Sequence, residues 1–270
     1  MTSPSPASDR DLLVDAAAEV GALLERGFGN HGDVRSKGAA GPVTDIDMAA
    51  DALLKERLRA ARPNYGWLSE ETVDTPERLS HRRAFVVDPL DGTRAFIQGE
   101  DDFCTSLAVV EDGQPIAAAI YAPLRKTMYA AARGAGTTCN SAAVRASDRA
   151  ELEGARLIGK PAMFADRRWN PAWPEVRASH INAIALRLAL VAAGDFDGVF
   201  ALGFKSEWDI AAGALLISEA GGVITDPWGE ALRFNQTDPR APGAVAAGPA
   251  LHAVLIEQLK NVPHPSRWSA

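Results

Sequence analysis

Val86-Val87-Asp88-Pro89-Leu90-Asp91-Gly92-Thr93 is the stretch on which the reading of this chain turns. The apolar run 84–87 predicts a buried strand that ends in an aspartate. A rigid proline turn follows, then a second aspartate, then Gly-Thr. Proline fixes the turn and removes an amide donor. Two carboxylates three residues apart at a strand end can converge on one point, and the Leu90 carbonyl between them can face it too. Oxygen-only donors of this kind suit Mg²⁺ or Mn²⁺. Gly92-Thr93 opens a stretch with helical character, and backbone N–H groups at a helix start bind phosphate well. Taken alone, the segment also reads as a strand, an Asx-turn and a helix cap.

Working upstream, 65–68 is a short apolar strand signal followed by Ser69-Glu70-Glu71. A helix is expected to follow Thr44 and to close at Pro63, with Ile46, Ala50, Leu53, Leu54 and Leu58 on one face. Thr44-x-x-Asp47 has the form of a capping box. Before it, 30–43 reads as a Gly-rich loop carrying Lys37, and 8–28 as a helix capped by Ser8. Downstream, 106–110 and 115–121 flank Asp112-Gly113, a strong hairpin signal, and 127–132 is a further strand. Short connections make this half mostly antiparallel.

The second half changes style. Strand signals at 156–158, 199–202 and 223–225 alternate with helices expected over about 179–193, 209–220 and 250–260. A soft boundary near 140–155 divides an N-terminal α+β half, 1–148, from a C-terminal α/β half, 149–270. Ser206-Glu207-Trp208-Asp209 precedes the small-residue helix Ile210-Ala211-Ala212-Gly213, so Asp209 is a third acidic candidate or the end of a capping box begun by Ser206.

The net charge of -7 argues against a nucleic-acid surface, though not against a small anion beside a bound cation. Cys104 and Cys139 form no cluster, and the five histidines show no zinc spacing. The polar start lacks a signal peptide's apolar run, and no other run is long enough to span a membrane. A cytoplasmic protein without membrane or nucleic-acid-polymer partners is expected. Asp45-Ile46-Asp47 lacks the preceding strand of a haloacid-dehalogenase nucleophile. Gly134-Ala135-Gly136 lacks a dinucleotide site's third glycine, and no phosphate-loop motif occurs.

DPLDGT at 88–93, SEE at 69–71 and WDIAAGALLISEAGG at 208–222 together resemble the signatures of the inositol monophosphatase family. Thr44-Asp45-Ile46-Asp47 is similar to an earlier element of that family, and the resemblance runs over 41–235. It implies a layered α-β-α-β-α fold of sugar-phosphatase type, a possible homodimer, sensitivity to Li⁺ and hydrolysis of a small phosphorylated substrate with two or three Mg²⁺. It also implies metal ligation by Glu70, Asp88, the Leu90 carbonyl, Asp91 and Asp209. Thr93, with Asp47 or Glu70, would position the attacking water. Leu68-Ser69-Glu70-Glu71, Tyr121-Ala122-Pro123, Met128-Tyr129-Ala130-Ala131 and Ser206-Glu207-Trp208-Asp209 resemble the bisphosphate nucleotidase (CysQ-like) branch. That likeness implies adenosine 3′,5′-bisphosphate as substrate, with inositol monophosphate or histidinol phosphate as alternatives and a non-catalytic metal-binding relative as the reading from another class. Two departures are Ile158-Gly159-Lys160-Pro161 in place of a Ser-Arg-Ser segment, and Ala178-Ser179 in the position taken as the Gly-Ser substrate loop. Candidate substrate contacts are Gly92, Thr93, Asp209, Lys205 or Lys160, and the Ser179-His180 loop.

Overall fold

The computed structural model describes residues 4–36, 38, 41–167 and 169–261. Lys37, noted above, lies outside them. Five layers stack in the order helix, sheet, helix, sheet, helix. The first layer holds α1 (Pro6–Gly27) and α2 (Asp45–Ala61). Ser5, not Ser8, caps α1: its hydroxyl accepts the Ser8 N–H, and Pro6 supplies the preset φ of a first helical residue. Between the helices, β1 (Val34–Ser36) and β2 (Pro42–Thr44) form a small antiparallel hairpin where only a loop is expected.

The second layer is a seven-stranded sheet in sequential order: β3 (Gly66–Ser69), β4 (Arg83–Asp91), β5 (Cys104–Glu111), β6 (Gln114–Ala122), β7 (Thr127–Ala132), β8 (Thr137–Cys139) and β9 (Ala142–Val144). It is antiparallel except for the parallel β3–β4 pair. Asp112 and Gly113 both take positive φ in the β5–β6 turn, as the Asp-Gly pair predicts. The sheet's two faces follow strand alternation. Phe85, Val87, Leu107, Val109, Ala117 and Ala119 pack on α1 and α2, whereas Val86, Ala108, Val110, Ala118 and Ile120 face the middle layer.

That middle layer is α5 (Ile184–Ala192) and α6 (Glu207–Glu219), buried between the two sheets. The fourth layer runs β11-β10-β12-β14-β13, from β10 (Arg156–Ile158), β11 (Arg177–Ser179), β12 (Gly198–Ser206), β13 (Val223–Thr225) and β14 (Arg240–Ala247). Its pairings are mixed: β10 is parallel to both neighbours and β14 antiparallel to both of its own. The outer layer is α7 (Pro249–Leu259), with the single turn α4 (Pro161–Phe164) beside it. No helix among the described residues is long and apolar enough to cross a membrane.

Two expectations are corrected. A helix over 179–193 begins too early, because Ser179 ends β11 and its carbonyl accepts the Gly159 N–H at 2.8 Å, so the helix starts only at Ile184. Strand β14 is absent from the sequence reading because Pro242 and Gly243 interrupt it. They are tolerated because the neighbouring β12 carries one extra residue between Leu202 and Lys205, opposite the stretch Ala241–Gly243.

A buried ionic cluster ties the first two layers together. Asp9 is fully buried and accepts from Arg62 Nε (2.9 Å), the Tyr65 hydroxyl (2.9 Å) and Arg83 Nη1 (3.1 Å). Arg83 is also held by Glu111 at 2.7 Å. Removing one member of such a buried set strands the other charges. Asp9→Ala should therefore lower unfolding stability by about 3–5 kcal/mol, measured by urea denaturation. A loss below about 1 kcal/mol, the range of an exposed pair, would show that the cluster does not hold the layers.

Candidate metal centre

Residues three apart on a regular strand point to opposite faces. Asp88 and Asp91 escape this because β4 bulges between them. Asp88 stands opposite Ser106 and Asp91 opposite Cys104, so three steps on β4 match two on β5. The extra residue returns both carboxylates to one side. Pro89 sits in the bulge, where its missing N–H costs no ladder bond, and its carbonyl accepts from the Thr105 hydroxyl at 2.9 Å. Asp88 Oδ1 closes the turn by accepting the Leu90 N–H at 3.0 Å. Gly92 follows with φ +96, and a Cβ there would lie 2.6 Å from the Asp102 carbonyl oxygen, so only glycine fits.

Three helix starts point at the same place. Asp91 Oδ2 accepts the Ala185 N–H at 2.6 Å in the first turn of α5, whose own N-cap, Ala183, has no side-chain acceptor. Asp209, in the first turn of α6, accepts the Ser206 N–H at 3.2 Å. Asp47 caps α2: its Oδ2 accepts the Thr44 N–H at 2.8 Å. Its other oxygen, Oδ1, lies 3.0 Å from the Thr93 hydroxyl, which is also 3.1 Å from the Leu90 carbonyl oxygen. One oxygen of Asp47 thus serves the helix cap and the other meets Thr93. Glu70 follows β3 beside Asp88, with its N–H on the Val87 carbonyl (3.2 Å). Asp51 steadies that turn by accepting from the Ser69 and Thr72 hydroxyls. The α6 start is locked from beneath by buried Glu207, which accepts the Asn235 and Gln236 N–H groups at 2.5 and 2.9 Å.

One cavity of about 440 Å³ gathers Glu70, Asp88, Leu90, Asp91, Gly92, Thr93, Lys205 and Asp209. Asp47 lies buried behind Thr93. Ser179 is not part of the lining: it is exposed on β11. At the helix start the lining is instead Asn182 and Ile184, with Arg187 one turn on. Pro42, Arg94 and Phe204 complete it. Lys205 Nζ turns back onto the carbonyls of Leu202, Gly203 and Phe204, at 3.3, 3.3 and 3.2 Å. Arg187 had a legible signal, a lone cation in the otherwise apolar run of α5. Phe204 had none, because its direction depends on the β12 bulge. A second cavity, of about 420 Å³, lies between the β5–β6 hairpin and the far end of α6 and holds none of the candidate residues.

Electrostatics mark the first cavity. Burial, then Glu70, Asp91 and Asp209, push the Asp88 pKa well above the carboxylate range. Burial raises Asp91 to about 7 against the opposing Ala185 N–H and Arg187 charge. Burial, followed by Asp91 and Glu70, raises Asp209 well up as well. The donor set is all oxygen and its carboxylates repel one another, which fits a hard divalent cation. Among the described residues, no three Asp, Glu, His or Cys side chains already close on a point at coordination distance.

Comparison with known proteins places nearly the whole chain beside one family. The model of the inositol monophosphatase family matches residues 7–264. The Nus factor SuhB of Xylella fastidiosa is 32% identical over 91% of this chain and 94% of its own. The inositol-1-monophosphatase of Rhizobium meliloti is 33% identical over 95% and 97%. The solved structure of a Thermotoga maritima IMPase superposes with a TM-score of 0.81 at 27% identity, covering 93% of this chain and 96% of that one.

The raised carboxylates have a consequence for stability. Each folded pKa lies above its unfolded value of about 4, so the folded state holds protons that the unfolded chain has released. Without metal, their contribution to stability falls as pH rises from about 4 through about 7. A bound cation should cancel that loss. The gap between melting temperatures in Mg²⁺ and in chelator should widen between about pH 5 and about pH 8. A gap that stays constant across that range would separate the cation from these carboxylates.

Proposed function

This chain belongs to the inositol monophosphatase family of metal-dependent phosphoric monoester hydrolases, and from that premise we propose that its carboxylate-lined cavity hydrolyses a small phosphate ester with Mg²⁺. Glu70, Asp88, the Leu90 carbonyl, Asp91 and Asp209 would hold the ions. When bound, the ions neutralise the phosphate and lower the pKa of water. The single observation that carries this reading is the bulge that turns Asp88 and Asp91 to one side, next to Glu70 and Asp209.

The chain's own residues supply the rest. The Thr93 hydroxyl, given to Asp47 as a hydrogen-bond donor, keeps its lone pairs for a water molecule. That orients the water and holds Thr93 in one rotamer. Asp47 cannot move to follow other partners, because Thr44 fixes its second oxygen. Gly92 and Thr93, at the cavity wall, are placed for a phosphate. Asn182, Arg187 and Phe204 stand where the leaving group would lie.

Two substrate readings follow. The relatives named inositol monophosphatase support inositol 1-phosphate. One structural observation favours a substrate with a second anionic group, such as adenosine 3′,5′-bisphosphate. Arg187 lines the cavity with Nε on the Ile181 carbonyl and Nη2 on the Asn182 carbonyl, so its guanidinium is fixed in orientation. This revises the earlier choice of Lys205, whose ammonium is taken up by three carbonyls and whose pKa burial pulls down. It also leaves Lys160 aside, which is exposed and outside the cavity lining.

Phosphate release from a panel of esters tests both readings. Activity should vanish in chelator and return with Mg²⁺, and Li⁺ should inhibit, as the family resemblance implies. Thr93→Ala should lower kcat far more than it changes KM, the mark of an interaction made mainly in the transition state. An unchanged kcat would remove Thr93 from the mechanism. If the bisphosphate reading is right, Arg187→Met should raise KM for adenosine 3′,5′-bisphosphate by about tenfold or more while changing that for inositol 1-phosphate little. Equal losses on both esters would refute the Arg187 contact.

A further inference from the structure

Most of the residues assigned so far meet the phosphate end of a substrate, and Asn182, Arg187 and Phe204 are left for the leaving group. The cavity lining also carries Phe204, a large apolar side chain that stays about half exposed, at 49%, in a largely polar site. Its position is built by the backbone. β12 gains one residue on β14 between Leu202 and Lys205, and Gly203 takes φ +84 inside that bulge. The irregularity throws Phe204 out to the cavity edge and turns the Lys205 ammonium back onto the backbone.

Phe204 is also backed. The Arg240 guanidinium carbon lies 5.0 Å from the ring centroid. Arg240 is held in turn by both oxygens of Asp238, at 2.8 Å each. One ring face is therefore covered by a cation in a fixed fork, and what the ring offers a ligand is its other face. A cation on one face draws electron density from the ring. The open face is then a weaker acceptor for the C–H groups of a polyol and a better partner for an electron-rich planar ring.

We infer that Phe204, pinned by Arg240 and Asp238, is a specificity-determining wall on which a planar heteroaromatic ring of the leaving group stacks. This rests on the phosphatase reading for its setting but not for its measurement. The ligand class is a phosphate ester of a nucleoside, and adenosine 3′-monophosphate is the probe. The carboxylates and Phe204 line one cavity, whose volume of about 440 Å³ suits a small ligand.

Calorimetric titration of adenosine 3′-monophosphate with Mg²⁺ present tests the wall without turnover as the readout, if Ca²⁺ replaces Mg²⁺ wherever hydrolysis interferes. Phe204→Ala should weaken binding by about tenfold or more, the usual worth of one stacked base. Phe204→Tyr should retain it. In parallel, Phe204→Ala should lower kcat/KM for the nucleoside phosphate by a factor several times larger than for glycerol 2-phosphate, which has no ring. Wild-type protein that binds no nucleoside phosphate, or a Phe204→Ala variant that binds it unchanged, would overturn the inference. So would equal losses on the two esters. Failure of every ester to release phosphate, with Phe204-dependent binding intact, would instead overturn the phosphatase reading alone.

Discussion

One extra residue in a strand is the constraint on which this site depends. Without the bulge at Pro89-Leu90, strand alternation would bury either Asp88 or Asp91 against the far layer. With it, both carboxylates and the intervening Leu90 carbonyl lie on the cavity side. The same device recurs across the cavity. β12 gains one residue on β14, and Phe204 and Lys205 take their directions from it. Each of the two sheets thus carries an irregularity at the cavity they share; a further register shift, between Val109 and Val110, lies at the other end of β5. Bulges concentrate where a side chain must be re-aimed, and here both also absorb prolines, Pro89 in one strand and Pro242 opposite the other.

A cluster of like charges is held because helix starts surround it. Asp91 accepts an N–H from the first turn of α5, while Asp47 and Asp209 stand in the first turns of α2 and α6 and accept the N–H of their N-caps, Thr44 and Ser206. The positive end of each helix dipole favours the ionised form by about 0.3–1 kcal/mol, more where the geometry is partly buried. Burial and mutual repulsion work the other way and win for Asp88, Asp91 and Asp209. The balance tilts back only when positive charge enters the cavity. Arg187 and Lys205 supply part of it from the chain itself, opposed by their own burial.

Much of this was legible in the sequence, and the gaps have physical causes. The acidic positions could be read because the local pattern and the placement at one cavity coincide. A strand end, a proline, a glycine forced by its neighbour's carbonyl and two capping boxes all leave marks within a few residues. Asp47 was ambiguous for a good reason, since one carboxylate can cap a helix with one oxygen and bind Thr93 with the other. Ser179 was misplaced because the segment before α5 has hydrophilic spacing that imitates a helix start, while its backbone pairs with β10. β14 hid behind Pro242 and Gly243, which read as a turn until the bulged partner strand is known. Phe204 faces the cavity only through tertiary packing, and nothing within its own segment states that direction, whereas Arg187 left one mark, a lone cation in an apolar helix.

The double use of the acids also limits how the site can vary. Asp91 and Asp209 each meet the backbone through Oδ2, as does Asp47. An asparagine could keep that single acceptor at Asp91 or Asp209 while removing the charge, since asparagine caps helices about as well as aspartate. Asp47 has no such freedom, because both of its oxygens already accept, one from Thr44 and one from Thr93. An amide there would set an N–H₂ group against the N–H of Thr44 or against the Thr93 hydroxyl proton. The former leaves a buried donor unsatisfied, at a cost of about 1–3 kcal/mol. The latter reverses the hydrogen bond that orients Thr93. Fold and chemistry therefore make the same demand at Asp47, whereas at Asp91 and Asp209 the helix cap asks for an oxygen and the cavity for a charge.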